Sequence, residues 1–181
     1  LEKAGGRYYF HVVYFNYHED PSSPKLLPGI NLLFLDGGTE YKIAALEGNL
    51  SRAFRYTGVP SLTFYQESTN GEGARVLLPL TKAELGDPGT KIIFIAKDRN
   101  SRFVSSVIDA DTDDFEVNHV RVVNFSRHLI KAKVGEQVAN IEPMNSFDYP
   151  VEGDSRRFRV RLAMAAMEED GFNVFEYRKF A

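Results

Sequence analysis

The chain contains no cysteine and no tryptophan. Without a thiol there can be no disulfide, iron–sulfur cluster, thiolate zinc site or cysteine nucleophile. Without an indole, the broadest ring for stacking on a sugar is missing. Glycine and proline number 14 and 8 among 181 residues, too few for a low-complexity chain. Positive charge is not in excess: Lys+Arg 22 against Asp+Glu 25 leaves a net charge of −3. That balance disfavours binding to a phosphate backbone, so no nucleic-acid partner is expected. No apolar run approaches the roughly 20 residues that cross a bilayer, so no transmembrane segment is expected. Leu1-Glu2-Lys3-Ala4-Gly5-Gly6 lacks the apolar stretch of a signal peptide, and we read it as a cut end from which a signal was removed.

What is present is strand chemistry. Hydrophobic residues make up 43% of the chain, which excludes a disordered polymer. At this length a compact fold hides roughly 70% of its unfolded surface and needs no staples. Arg7 to Phe15 is aromatic and β-branched, suited to a pleated surface. Ile30–Leu35 ends at Asp36-Gly37-Gly38, a tight-turn signal, before Glu40-Tyr41-Lys42-Ile43. Further runs lie at 61–66, 75–78, 91–96, 102–108, 119–124, 129–134, 137–141, 156–164 and 172–177. Asn70-Gly71-Glu72-Gly73, Asp87-Pro88-Gly89, Val134-Gly135-Glu136 and Glu152-Gly153-Asp154 punctuate them. Turns about every 8–12 residues mark sandwiches and barrels. Thr81 to Gly86 fits one helical turn, with Thr81 as N-cap, Glu84 three residues on and Gly86 as stop. Leu162–Glu169 holds good helix formers, but Arg157 to Leu162 alternates strictly before it, so a strand and a C-terminal hairpin are expected. The fold class is all-β, an antiparallel β-sandwich that is Ig-like or a related Greek key.

Ile30-Asn31-Leu32-Leu33-Phe34 with Tyr41-Lys42-Ile43-Ala44 is echoed by Val120–Phe125 with Ile130–Val134. Duplication into two similar halves and chance similarity between short strands both explain this. The expected organisation is an N-terminal β-sandwich region, 1–114, and a C-terminal β region, 115–181, packed against it. A single domain over 1–181 is the alternative.

Asp109-Ala110-Asp111-Thr112-Asp113 places carboxylates at alternate positions, as calcium loops do. The match then fails, because Asp114 stands where the sharp turn needs glycine and Val120 where a bidentate Glu should close the shell. Asp109, Asp111 and Asp113 are therefore weak metal candidates, and we expect a solvated loop whose aspartates bond backbone N–H groups. His11, His18, His119 and His128 form no short-spaced pair and no HExxH. There is no GxSxG elbow; Ser51 and Ser126 sit where serine satisfies backbone groups. Gly71-Glu72-Gly73 lacks the third glycine and helix of a phosphate cradle and reads as a hairpin tip. Carboxylates paired in space are invisible to sequence, but no motif calls for an enzyme or a cofactor, and neither is expected.

Arg157, Arg159 and Arg161 share one face of a strand opposite Phe158, Val160 and Leu162. They are the weak binding candidates, for an anionic polysaccharide or acidic partner; the simpler reading is the wet face of a sheet. Tyr8, Tyr9, Phe10, Tyr14, Phe15 and Tyr17 put rings on both parities of the first strand. One face must be core; we expect the other to be buried between layers as well, the alternative being an exposed row that stacks on sugar or makes a protein interface.

The run Val120-Arg121-Val122-Val123-Asn124-Phe125-Ser126, then Val134-Gly135, then Ile141-Glu142-Pro143 and Phe147, resembles uncharacterised exported bacterial β-sandwich proteins. Gly48-Asn49-Leu50-Ser51 through Leu62-Thr63-Phe64-Tyr65 has a similar flavour. The resemblance implies a sandwich and a periplasmic or cell-surface location, and carries no catalytic residue. The expected function is non-catalytic: an exported envelope protein acting in surface recognition or assembly, with an unidentified protein or glycan as partner. The alternative is a carbohydrate-binding module using exposed Tyr and Phe, calcium-assisted at residues 109–116.

Overall fold

Period-two alternation accounts for the regular elements of the computed structural model, which describes residues 6–16, 29–97, 100, 102–111, 118–126, 128–151, 160–168 and 171–180. Among the described residues every regular element is a strand, and no helix is long and apolar enough to cross a membrane. The all-β expectation holds. The chain divides into two compact units, Leu1–Asp111 and Thr112–Ala181.

The first unit contains β1 (Tyr8–Asn16), β2 (Ile30–Asp36), β3 (Thr39–Ala45), β4 (Phe54–Tyr56), β5 (Ser61–Thr69), β6 (Arg75–Glu84), β7 (Gly89–Lys97) and β8 (Phe103–Asp109). They form two four-stranded sheets, β4-β1-β7-β8 and β3-β2-β5-β6. In β1 the even positions Tyr8, Phe10, Val12 and Tyr14 point inward; in β2 the inward residues are Leu32 and Phe34, and in β5 Leu62 and Phe64. The two sheets meet through rings. Phe10 lies 5.2 Å edge-on from Phe34 and 6.2 Å from Phe64, and stacks on Phe54 of its own sheet at 5.7 Å. Each of these buried rings removes enough apolar surface from water to contribute about 2–3 kcal/mol.

One pairing departs from an antiparallel sandwich: β1 runs parallel to β7, with Phe10 opposite Lys91 and Val12 opposite Ile93. Before β4, Glu47 and Leu50 bridge Tyr14 and Val13 of β1, and Ser51 N–H donates to the Val12 carbonyl. At the turn from β2 to β3, Gly37 and Gly38 have φ of +55° and +82°, the left-handed pair a two-residue hairpin loop requires. The Thr81–Gly86 stretch is no helical turn. Thr81 pairs with Phe64 and Ala83 with Leu62, so β6 extends to Glu84; burial of Ala83 in the shared core outweighs a capping box on so short a segment.

The second unit contains β9 (His119–Val123), β10 (Ile130–Val134), β11 (Gln137–Ile141), β12 (Ser146–Pro150), β13 (Val160–Glu168) and β14 (Gly171–Phe180). They make a four-stranded sheet, β11-β10-β13-β14, and a two-stranded sheet, β12-β9. Val122, Ile130, Ala132, Val134, Ile141 and Tyr149 form its core. The Tyr149 hydroxyl donates to the Ala132 carbonyl at 2.9 Å, tying the smaller sheet to the larger. The strand reading of 162–168 holds, and β13 and β14 pair as a hairpin from Glu168 opposite Gly171. The echoed segments are wired differently. β2 and β3 pair with each other, whereas β9 pairs with β12 and β10 with β11 and β13.

Candidate functional site

The alternation that buries one face of β1 sends Tyr9, His11, Val13 and Phe15 to the other. On β7 the residues of that parity are Thr90, Ile92, Phe94 and Ala96; on β8 they are Val104, Ser106 and Ile108. Burial of both ring-bearing faces was expected, and the structure corrects it: Tyr9 and Phe15 are each 43% exposed and Val104 is 48% exposed. Val13, of the same parity, is only 7% exposed, so this face is open at Tyr9, Phe15 and Val104 and covered between them. Phe15 stacks on Phe94 at 6.1 Å with ring planes 9° apart. Tyr9 stands apart, six residues and about 20 Å up the strand. Its cross-strand neighbour is Arg55 of β4. Arg7, two residues before Tyr9 and of the same parity, is exposed.

Two concave regions lie elsewhere in this unit. A cleft of about 460 Å³ is lined by Asp36, Tyr41, Arg52, Ala53, Phe54, Arg55 and Thr57, so Arg55 borders it as well as Tyr9. Two of its polar residues, Asp36 and Thr57, are engaged with each other. The Asp36 carboxylate accepts from Thr57 N–H at 3.2 Å and Thr57 Oγ1 at 3.0 Å, and the Arg52 guanidinium lies 4.8 Å over the Phe54 ring. A groove of about 670 Å³ runs over Asn31, Leu33, Lys42 and Ala44 beside Gln66 and Glu67. There the β2–β5 ladder is a single bridge, Leu33 opposite Tyr65, and the β5–β6 register shifts at the same point. Arg75 bonds Glu67 at 3.1 Å and Glu40 at 2.6 Å. Glu40 first and then Glu67 hold the Arg75 guanidinium above its ordinary pKa.

The aspartate loop is used structurally where it is described. Asp109 pairs with Lys91, whose side chain is 3% exposed and opposite it across the β7–β8 ladder. Asp111 accepts from Thr90 N–H at 2.8 Å, and that backbone bond leads the causes holding its carboxyl below the usual range. Asp113 lies outside the described residues. Among the described residues no group of three or more His, Cys, Asp or Glu side chains is placed to hold a metal ion. Of the histidines, His11 places Nδ1 2.7 Å from the Ser51 carbonyl and His18 is outside the described residues. Arg157 and Arg159 also lie outside them. Arg161 is placed by backbone in β13, opposite Lys179.

Ser51 and Ser126 satisfy backbone groups. Ser51 Oγ accepts from Val12 N–H at 2.8 Å, and Ser126 Oγ accepts from His128 N–H at 3.2 Å. Burial, first among the causes, pushes the hydroxyls of Tyr8, Tyr14, Tyr56 and Tyr149 above the ordinary phenol value. They are donors at neutral pH, not bases.

The burial of two polar residues was not foreseen from the sequence. Lys91 is buried inside the first unit; its position in phase with Ile93 and Ile95 was the available signal. Asn124 is wholly buried, donating through Nδ2 to the His128 and Ile141 carbonyls at 2.8 and 2.9 Å and accepting at Oδ1 from Ser126 N–H and Oγ. The sequence matches no protein-family model and no curated protein.

Proposed function

We propose that the chain is a non-catalytic recognition module of an exported, cell-envelope protein, binding a protein partner through the outer face of β4-β1-β7-β8. The observation that carries this reading is the exposure of Tyr9 and Phe15 on β1 and of Val104 on β8, in a sheet whose opposite face is core. Apolar side chains gathered into one exposed patch mark an interaction site, and Phe15, Phe94 and Val104 gather around Ala96 at one end of this face. Tyr9 stands well apart from the Phe15–Phe94 pair. Scattered rings suit a polypeptide, which offers side chains of many shapes; a sugar needs rings gathered into one platform. A photo-crosslinking residue at Val104, introduced in the native cell, is expected to form protein adducts in the envelope fraction. The same residue at Thr63, on the outer face of the other sheet, is expected to form none. Adducts at both positions, at neither, or only in the cytosol would reject the reading.

The near-parallel Phe15 and Phe94 rings support a second reading, a carbohydrate-binding module. Retardation on polysaccharide gels, lost in Phe15→Ala, would establish it in place of the first.

A further inference from the structure

We propose that Asn49 is the acceptor of an N-linked oligosaccharide. The inference rests on export of the chain, since this linkage belongs to secreted proteins, and adds a modification site. Two tripeptides have the acceptor form Asn-x-Ser: Asn49-Leu50-Ser51 and Asn124-Phe125-Ser126. By sequence they are equivalent; the structure separates them. A side-chain amide nitrogen carries two hydrogens, and the linkage replaces one of them with a sugar carbon. Asn49 is exposed and gives one hydrogen to the Glu47 carbonyl at 2.9 Å. No described residue accepts the other, so the sugar can take its place and leave the Glu47 bond intact. Asn124 is wholly buried and gives both hydrogens away, to the His128 and Ile141 carbonyls. A sugar there must break one of those bonds inside the second core and orphan a carbonyl.

The surroundings of Asn49 suit a bulky polar group. Gly48, just before it, has φ of +68° and open space on its side-chain side. Leu46 and Leu50, on either side, are each 53% exposed. Glu47 and Leu50 bridge β1 on the side that β4 takes further along, so the segment follows an edge of the sheet. An oligosaccharide rooted at Asn49 covers both leucines and keeps that edge from pairing with another strand. Ser51 Oγ accepts from Val12 N–H and donates to the Arg52 carbonyl, so transfer comes before this segment docks on β1. A chain modified at Asn124 at that stage could not close its second core. The co-reactant is an oligosaccharide on a lipid pyrophosphate, used by an oligosaccharyl transferase. Asn49 Nδ2 bonds the anomeric carbon, the bond from that carbon to the pyrophosphate breaks, the pyrophosphate leaves with the electron pair, and the amide proton goes to solvent.

The test isolates the protein from fractionated native cells and maps its tryptic peptides by mass spectrometry. Residues 43–52 and 122–127 are released separately, so each acceptor falls on its own peptide. The expected result, in the envelope fraction, is sugar mass on 43–52 and none on 122–127. Asn49→Gln should abolish the sugar, and Ser51→Thr, which keeps the hydroxyl, should retain it. Sugar that survives Asn49→Gln, or is lost in Ser51→Thr, would overturn the assignment to this amide. Sugar on 122–127 would overturn it as well, because the folded core holds both hydrogens of Asn124. An unmodified 43–52 in protein from the envelope would overturn the inference and leave export standing. An unmodified 43–52 in protein found only in the cytosol would overturn both.

Discussion

Asp148 sits opposite Arg121 in the β9–β12 ladder and accepts from Nε at 2.6 Å and from Nη2 at 2.6 Å. These bonds lead the causes that hold its carboxyl below the usual range, with partial burial opposing them. A carboxylate depressed in the folded state stabilises above the unfolded pKa of about 3.9, and that stability disappears as pH falls through the folded value. The side chains are 26% and 36% exposed, so screening holds the contribution to under about 1 kcal/mol. Urea unfolding of Asp148→Asn against the parent should show a small deficit at neutral pH. The deficit should shrink below pH about 4 and close in stronger acid; one that stays constant down to pH about 2 would show that the ion pair contributes nothing. Neither partner was legible as a pair in the sequence, because 27 residues separate them and only the ladder register brings them together. Lys91 and Asp109 pose the same problem, since a period-two rhythm says which way a side chain points but not what waits there.

At the scale of elements, the β9–β10 connection is held by one buried amide. Asn124 exchanges bonds with the chain between β11 and β12: its N–H donates to the Asn145 carbonyl at 2.9 Å, and its carbonyl accepts from Met144 N–H at 2.8 Å. Asn124→Ala leaves the Ile141 carbonyl without that donor inside the core, and is expected to cost about 2–4 kcal/mol at about 1–3 kcal/mol per orphaned buried group. Ser126→Ala, at a less buried position, should cost under about 1 kcal/mol. Equal midpoints for Asn124→Ala and the parent in urea would show that the amide holds nothing. Most strands and turns were readable from alternation and from glycine, as Gly37-Gly38 and Gly135 show. β4 and β12 were visible only as the aromatic runs Phe54-Arg55-Tyr56 and Phe147-Asp148-Tyr149. Strands so short carry too few alternations to declare a period, and pairing to β1 and β9 is what makes them strands. The helical reading of Thr81–Gly86 failed for the converse reason, a local capping signal overridden by a neighbouring strand.

For the whole molecule, each unit closes its own core, and the acidic stretch at the division spends its described carboxylates on backbone and lysine contacts. Calcium should therefore do little. Thermal midpoints in millimolar calcium and in chelator are expected to agree within about 1 °C, since an ion bound to the native state must raise the midpoint. A clear rise with calcium would show that the carboxylates leave their present partners for a cation. Of the candidate interaction surface, the sequence disclosed the ingredients and not the outcome. The rings of β1 on both parities were plain. Which parity stays open to solvent was not.

Side-chain alternation, turn residues and the shortage of helix signals determined by themselves that this chain is built of strands around apolar layers, because the two-residue period is a local property of an extended backbone. Only the tertiary structure decided that β1 runs parallel to β7, that Lys91 meets Asp109, and that Tyr9, Phe15 and Val104 are left open. Those outcomes depend on which distant segment arrives to cover each face, and the selection among arriving strands is made by packing over the whole unit.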